Sequence, residues 1–234
     1  MLRVVLPFTT KEVPLVLKNL ALAKKFDGKL DSPVLVVIEE GTEGLDAVMA
    51  AASEIFPMVE THTYYKGPSG WPQGPNHAFK QTAWKLGERS KNDPTPWMWW
   101  EADAVPLRRG WLLDLDMAHV LSKKPFSGHV VEGMGHMNGV GIYPADVRLH
   151  SSNAMLCMKT PWDVAMKKET AAKTNAINHL ILHVWNVHNG VAVNSPEGAP
   201  LTVKNKKELA KWITPAAALL HRCKDGSVAD VLLK

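Results

Sequence analysis

The chain has 234 residues, 46% of them hydrophobic, and a formal charge of +4. That content supports a substantial core and leaves no segment of disorder-type composition. No apolar run approaches the length needed to span a bilayer, and Met1-Leu2-Arg3 leads straight into a strand-like stretch, so neither signal peptide nor membrane anchor is expected. Two cysteines, Cys157 and Cys223, are too few for a disulfide framework and lack zinc-site spacing, which points to a reducing, cytoplasmic setting. The pI of about 9.0 is compatible with phosphate-bearing ligands. Lys and Arg are scattered, however, so charge alone is a weak argument for DNA.

In chain order, residues 2–8 read as a first strand. A helix over 11–26 follows, with Thr9 and Thr10 as cap candidates. Residues 32–39 are a second buried strand, 45–55 a helix and 57–63 an alternating third strand. The Gly- and Pro-rich stretch 66–75 is a loop leading to a helix over 76–90 and then to a strand over 97–103. A helix over 110–121 and strands over 126–132 and 137–143 continue the pattern. Beyond Pro144 it loosens into a helix near 174–185, a strand at 201–203, a helix over 206–212 and a terminal strand near 217–221. Alternating strands and helices predict an α/β fold with a mostly parallel central sheet flanked by helices. The whole chain reads as one domain, with residues 1–145 as a ligand-binding half and 146–234 as an elaboration of it.

The most telling segment is Trp97-Met98-Trp99-Trp100-Glu101-Ala102-Asp103. A buried strand ends in two carboxylates at i, i+2, at the sheet edge where open α/β folds bind ligands. On an extended backbone both side chains point the same way, and two such oxygens suit a hard divalent cation. Asn138-Gly139-Val140-Gly141 puts small residues where a backbone must approach something closely. His221-Arg222-Cys223-Lys224 offers an imidazole and two cations after an apolar strand. His179 and His183 stand at helical spacing but lack the glutamate of a zinc-protease motif, so they read as packing on a helix edge. Trp71 and Trp162, beside prolines in loops, are candidates for stacking on a ring. A P-loop, a dinucleotide fingerprint and a serine nucleophile elbow are all missing.

Together these residues resemble the GT-A fold nucleotide-sugar glycosyltransferases, whose D-x-D motif Glu101-Ala102-Asp103 is similar to, and in particular small members of bacteriophage and environmental origin. The resemblance implies that Asp103, Glu101 and His221 hold Mn²⁺ or Mg²⁺. It implies a nucleotide-sugar donor, a UDP-sugar first among them. Lys224 and Arg222 would then neutralise the departing diphosphate. Phe8, Thr9, Thr10 and Glu39 match positions that hold the nucleoside, Gln73, Asn76 and Lys80 would face the sugar-phosphate, and Asn138 and Gly139 would line the donor site. An inverting reaction also needs a carboxylate base. Asp163 is the first candidate, against its simpler reading as a helix cap, and Glu132 is the second. The acceptor is open: a hydroxymethylated DNA base fits a phage-encoded enzyme in host cytoplasm, alongside glycans and proteins. A nucleotidyltransferase ranks lower because Pro7-Phe8-Thr9-Thr10-Lys11 has no glycine. A non-catalytic nucleotide- or carbohydrate-binding module is the reading in which the acids are surface groups only.

Overall fold

The computed structural model describes residues 1–183 and 201–234. In chain order, β1 (Arg3–Pro7) leads through a 3-10 turn into α1 (Val13–Asp27), β2 (Val34–Glu39), α2 (Leu45–Ser53), β3 (Val59–Tyr64), α3 (Gln73–Arg89) and β4 (Trp97–Trp99). There follow β5 (Val105–Pro106), α4 (Trp111–Ser122) and the antiparallel pair β6 (Phe126–Val130) and β7 (Met137–Tyr143). Three short helices, α5 (Ser152–Leu156), α6 (Trp162–Ala165) and α7 (Lys167–Thr170), precede β8 (Thr174–Ala176) and β9 (Ile181–His183). Last come α8 (Lys206–Leu209), β10 (Leu219–His221) and α9 (Ser227–Leu233).

Seven strands form the main sheet in the order β3-β2-β1-β4-β7-β6-β8, and β5-β10-β9 form a small second sheet. In the main sheet pairing is parallel except on either side of β7, and in the small sheet β10 runs parallel to β9 and antiparallel to β5. The central strands read as unbroken apolar runs because both faces are covered. On one face, α1, α2 and α4 pack Leu20, Val48 and Leu115 against Val4, Val36 and Met98. On the other face the filling is aromatic. Phe79 of α3 stacks on Trp162 at 4.7 Å, and Trp97 stacks on Tyr143 at 4.7 Å.

Several expectations need correction. The strand through Trp97 stops at Trp99, and Glu101 and Asp103 lie on a turn closed by the Ala104 N–H bonding Glu101 C=O at 3.0 Å. The helix expected at 174–185 is two three-residue strands, β8 paired with β6 and β9 with β10. Asn178 enforces this: its side chain both accepts from the Val130 N–H and donates to the Val130 C=O. The rest of that expected helix, including Trp185, lies outside the described residues. Leu201 and Val203 are buried and Thr202 is exposed, but the segment forms no strand, since the Val203 N–H goes to the Ser227 hydroxyl. The expected helix over 206–212 is the single turn α8, and α9 and β5 were not anticipated.

The turn bearing the acids is held from below. Asn19 of α1, only 2% exposed, donates its amide to the carbonyls of Ala102 (2.8 Å) and Ala104 (3.2 Å). The Trp100 indole N–H also reaches Ala104 C=O at 2.7 Å. Asn19→Ala leaves the buried Ala102 carbonyl without its side-chain donor and should cost about 2–3 kcal/mol. Urea denaturation should show the midpoint falling with little change in slope.

Candidate metal centre

Glu101, Asp103 and His221 offer one ligand atom each, all within 4.8 Å of one another. β10 delivers His221 between β5 and β9, and the Cys223 N–H donates to Asp103 C=O at 2.9 Å, tying the two chain segments together. His221 Nε2 lies 3.0 Å from Glu101 Oε2 and 3.2 Å from Asp103 Oδ1. Its N–H points at Glu101, which leaves Asp103 Oδ1 buried with a charge beside it but no aligned donor. The other Glu101 oxygen accepts from the Trp99 indole at 3.1 Å. Glu101 therefore has a fixed orientation, and Asp103 keeps a lone pair to spare.

Burial works against a charge on His221, yet the Asp103 and Glu101 carboxylates outweigh it and raise the imidazole to about 10. Asp103 meets the mirror-image balance. Burial opposes its ionisation, but the charges of His221, Lys224 and Arg222 hold it below the ordinary carboxylate range. In the metal-free protein the imidazolium thus occupies the place of a cation. The ion-pair stabilisation is complete below pH 6.5 and fades as pH rises toward 10. A set of two carboxylates and one imidazole suits Mn²⁺ or Mg²⁺, and the undonated Asp103 oxygen is where a cation would complete the bonding.

The surroundings bring some expected residues in and use others structurally. Asn138 and Gly139 lie on β7. A Cβ on Gly139 would meet the Trp162 ring at 2.9 Å and Glu101 Oε1 at 3.1 Å, so glycine there is what lets the indole and the acid share the space. Asp163, next to Trp162, is nearly buried, 3.9 Å from His136 Nε2, and pushed up to about 6 by that burial, with Glu101 raising it further. It is the second residue of α6, two past the N-cap Pro161, so it lies inside the first turn instead of capping it, and it accepts the neighbouring Val164 N–H. Arg222 is half-buried with a left-handed φ of 73°, and Lys224 is exposed. Glu132 is exposed in the β6–β7 loop, outside this group.

Along the first strands, Phe8 is 4% exposed and packs in the core. Thr9 gives both its N–H and its hydroxyl to Glu12, and the Thr10 hydroxyl accepts the Glu43 N–H. Glu39 accepts the Gly67 N–H at 3.1 Å, and Gln73 opens α3. Asn76 is 1% exposed, and its amide donates to Thr160 C=O and accepts from Trp162 N–H. Lys80 donates to Cys157 C=O. Asn76 and Lys80 therefore brace the segment carrying Trp162 and Asp163. Trp162 itself is 3% exposed and stacked in the core, whereas Trp71 is 72% exposed.

Sequence reading missed Glu12, whose carboxyl is raised by burial and by the nearby Asp103 and Glu101. Its only signal was the Thr9-x-x-Glu12 capping spacing. It also misplaced His183, which pairs in register with His221, their rings edge-on at 4.9 Å. Burial and then the His221 charge push His183 down to about 2, so it stays neutral.

No protein-family model and no curated protein matches the chain in sequence. Solved structures match in fold. Galactosyltransferase LgtC in complex with donor and acceptor sugar analogs is 13% identical, with a TM-score of 0.56 over 95% of this chain and 87% of that one. Mouse xyloside xylosyltransferase 1, apo form, is 8% identical, with a TM-score of 0.54 over 94% of this chain and 97% of that one.

Two outcomes test the centre. Asp103→Asn should weaken Mn²⁺ binding by about a hundredfold or more, read by calorimetry or by the spin-resonance signal of free Mn²⁺. Because His221 must lose a proton to become a ligand, wild-type affinity should rise about tenfold per pH unit between pH 6 and 8. Heats that do not vary with buffer ionisation enthalpy would contradict that proton release. The architecture that carries these residues, a mostly parallel α/β sheet flanked by helices, is that of the GT-A glycosyltransferases.

Proposed function

We propose that this chain is a divalent-metal-dependent glycosyltransferase, moving a sugar from a nucleotide-sugar, a UDP-sugar first, to an acceptor hydroxyl. One observation carries the reading. The ligand atoms of Glu101, Asp103 and His221 converge beside the ends of parallel strands, in a fold shared with enzymes of that class. Asp103, His221 and Glu101 would hold Mn²⁺ or Mg²⁺, which supplies positive charge where a diphosphate leaves. Lys224 and Arg222 add to that field, as their influence on Asp103 indicates. Thr9, Thr10 and Glu39 border the nucleoside side, with the Phe8 backbone behind them. Gln73 and Asn138 line the sugar side, while Asn76, Lys80 and Gly139 fix the walls.

Asp163 takes the proton of the acceptor hydroxyl as the new glycosidic bond forms and the anomeric bond to the diphosphate breaks. A buried carboxyl pushed up to about 6 is ionised at neutral pH yet basic enough for that task. Its burial also fixes the sign of a stability effect. A carboxyl whose folded value is raised favours folding below its unfolded value and opposes it above about 6. Asp163→Asn should therefore cut turnover by about 10²–10⁴-fold. At pH 8 it should leave stability equal or higher by up to about 3 kcal/mol. A variant that loses both activity and stability would remove Asp163 from the base role.

The donor is tested by thermal shift with a panel of nucleotide-sugars, with and without Mn²⁺. A cognate donor at 100 times its Kd adds about 2.7 kcal/mol, and the shift should vanish in Asp103→Asn. A flat panel overturns the reading. Acceptors are tested in parallel by release of nucleoside diphosphate. Hydroxymethylated duplex DNA is one arm and oligosaccharides the other, and failure of the DNA arm alone removes a modified base as acceptor.

A further inference from the structure

α4 buries Trp111, Leu112, Leu115 and His119 against the sheet, as an amphipathic helix should. Its opposite face does not follow the rule. Leu113 is 63% exposed, Met117 49%, Val120 54% and Leu121 73%. The spacing i, i+4, i+7, i+8 makes these four one stripe, roughly 12 Å long. Every other residue of the helix is buried or half-buried. A stripe of this kind on a solvent face marks a contact surface.

Charge around the stripe says what it contacts. The two acids of α4 stand beside the stripe and are already paired within the fold. Asp114 lies 2.5 Å from the Arg108 guanidinium, and Asp116 lies 3.2 Å from the Met1 amino group. The exposed charges at the helix ends are all positive: Arg109 before it, Lys123 and Lys124 after it. An apolar stripe with cations at both ends complements a surface that is apolar within and anionic at its rim. A second copy of this chain fits poorly. Packed antiparallel, α4 on α4 would set Arg109 of each copy beside the other's Lys123; packed parallel, like ends would meet.

We infer that α4 is a membrane-surface contact that lies flat on an anionic lipid bilayer, sinking Leu113, Met117, Val120 and Leu121 below the headgroups while Arg109 and Lys123 meet lipid phosphates. Among the described residues no helix is long and apolar enough to cross a membrane. The contact is thus peripheral and reversible, as expected for one short apolar face assisted by charge.

Co-sedimentation of the whole chain with vesicles of phosphatidylcholine alone, or mixed with phosphatidylserine, tests this at low and high salt. Wild type should partition onto the phosphatidylserine vesicles and leave them as salt rises. The double variant Leu113→Gln/Leu121→Gln should bind about tenfold less with an unchanged melting temperature, since both side chains are already in water. Arg109→Glu/Lys123→Glu should remove the preference for phosphatidylserine. No partitioning at low salt, or equal binding by the variants, overturns the inference. So does a concentration-dependent dimer that Leu113→Gln/Leu121→Gln dissolves, because a second copy would then own the face.

Discussion

The site rests on one electrostatic closure. A turn directly after β4 carries two carboxylates into a space walled by indoles and helix α1, where they cannot coexist without a counter-charge. The chain supplies it 120 positions later, as His221 on β10. The small sheet β5-β10-β9 is the device that brings it there, since β5 follows the acid turn immediately and pairs with β10. In the metal-free protein the acids and the imidazolium sum to a charge of −1. A divalent ion that displaces the imidazolium proton brings the same three side chains to zero. One geometry therefore serves both states, and the ion would remove the residual charge of −1 that the metal-free trio carries.

Around this closure the aromatic side chains form a frame. Trp99, Phe79, Tyr143 and Trp162 interlock on the sheet face opposite α1, and the frame touches the site at two points. The Trp99 indole orients Glu101, and Trp162 leans over Gly139 onto the same acid. Asn76 then couples α3 to the backbone on which Trp162 and Asp163 sit. An acid with a raised proton affinity must be kept dry and still, and this bracing does both for Asp163.

What could be read beforehand followed from how far each signal extends along the chain. β1 to β4, β6, β7 and α1 to α4 are long or strongly apolar, and their order followed from period and punctuation. The acid pair was legible because it ends an apolar run, and His221 because it follows one. The segment from Thr174 to His183 misled because strands of three residues are too short to show a period of two. Its histidines also happened to fall four apart. The partners that make it sheet, β6 and β10, are distant in sequence. Asn19 and Glu12, and the bracing role of Asn76, were illegible for another reason. Each is a polar residue on a helix or turn whose importance lies in which distant carbonyl, amide or acid it meets.

Glu12 adds a final constraint on how the site can work. Together with Glu39, Glu101, Asp103 and Asp163 it surrounds the strand ends with carboxylates, and its own acidity is weakened by the two on the turn. Against them stand His221, Arg222 and Lys224, and His221 is already committed to the pair. A diphosphate donor of the proposed kind would meet net negative charge at this edge, which a divalent ion would offset. Glu101, Asp103 and His221 would hold that ion, which would offset the acids and leave Lys224 and Arg222, now acting on Asp103, to act on the proposed ligand as well. For the proposed donor, metal and nucleotide-sugar are consequently linked ligands: each raises affinity for the other by the same factor.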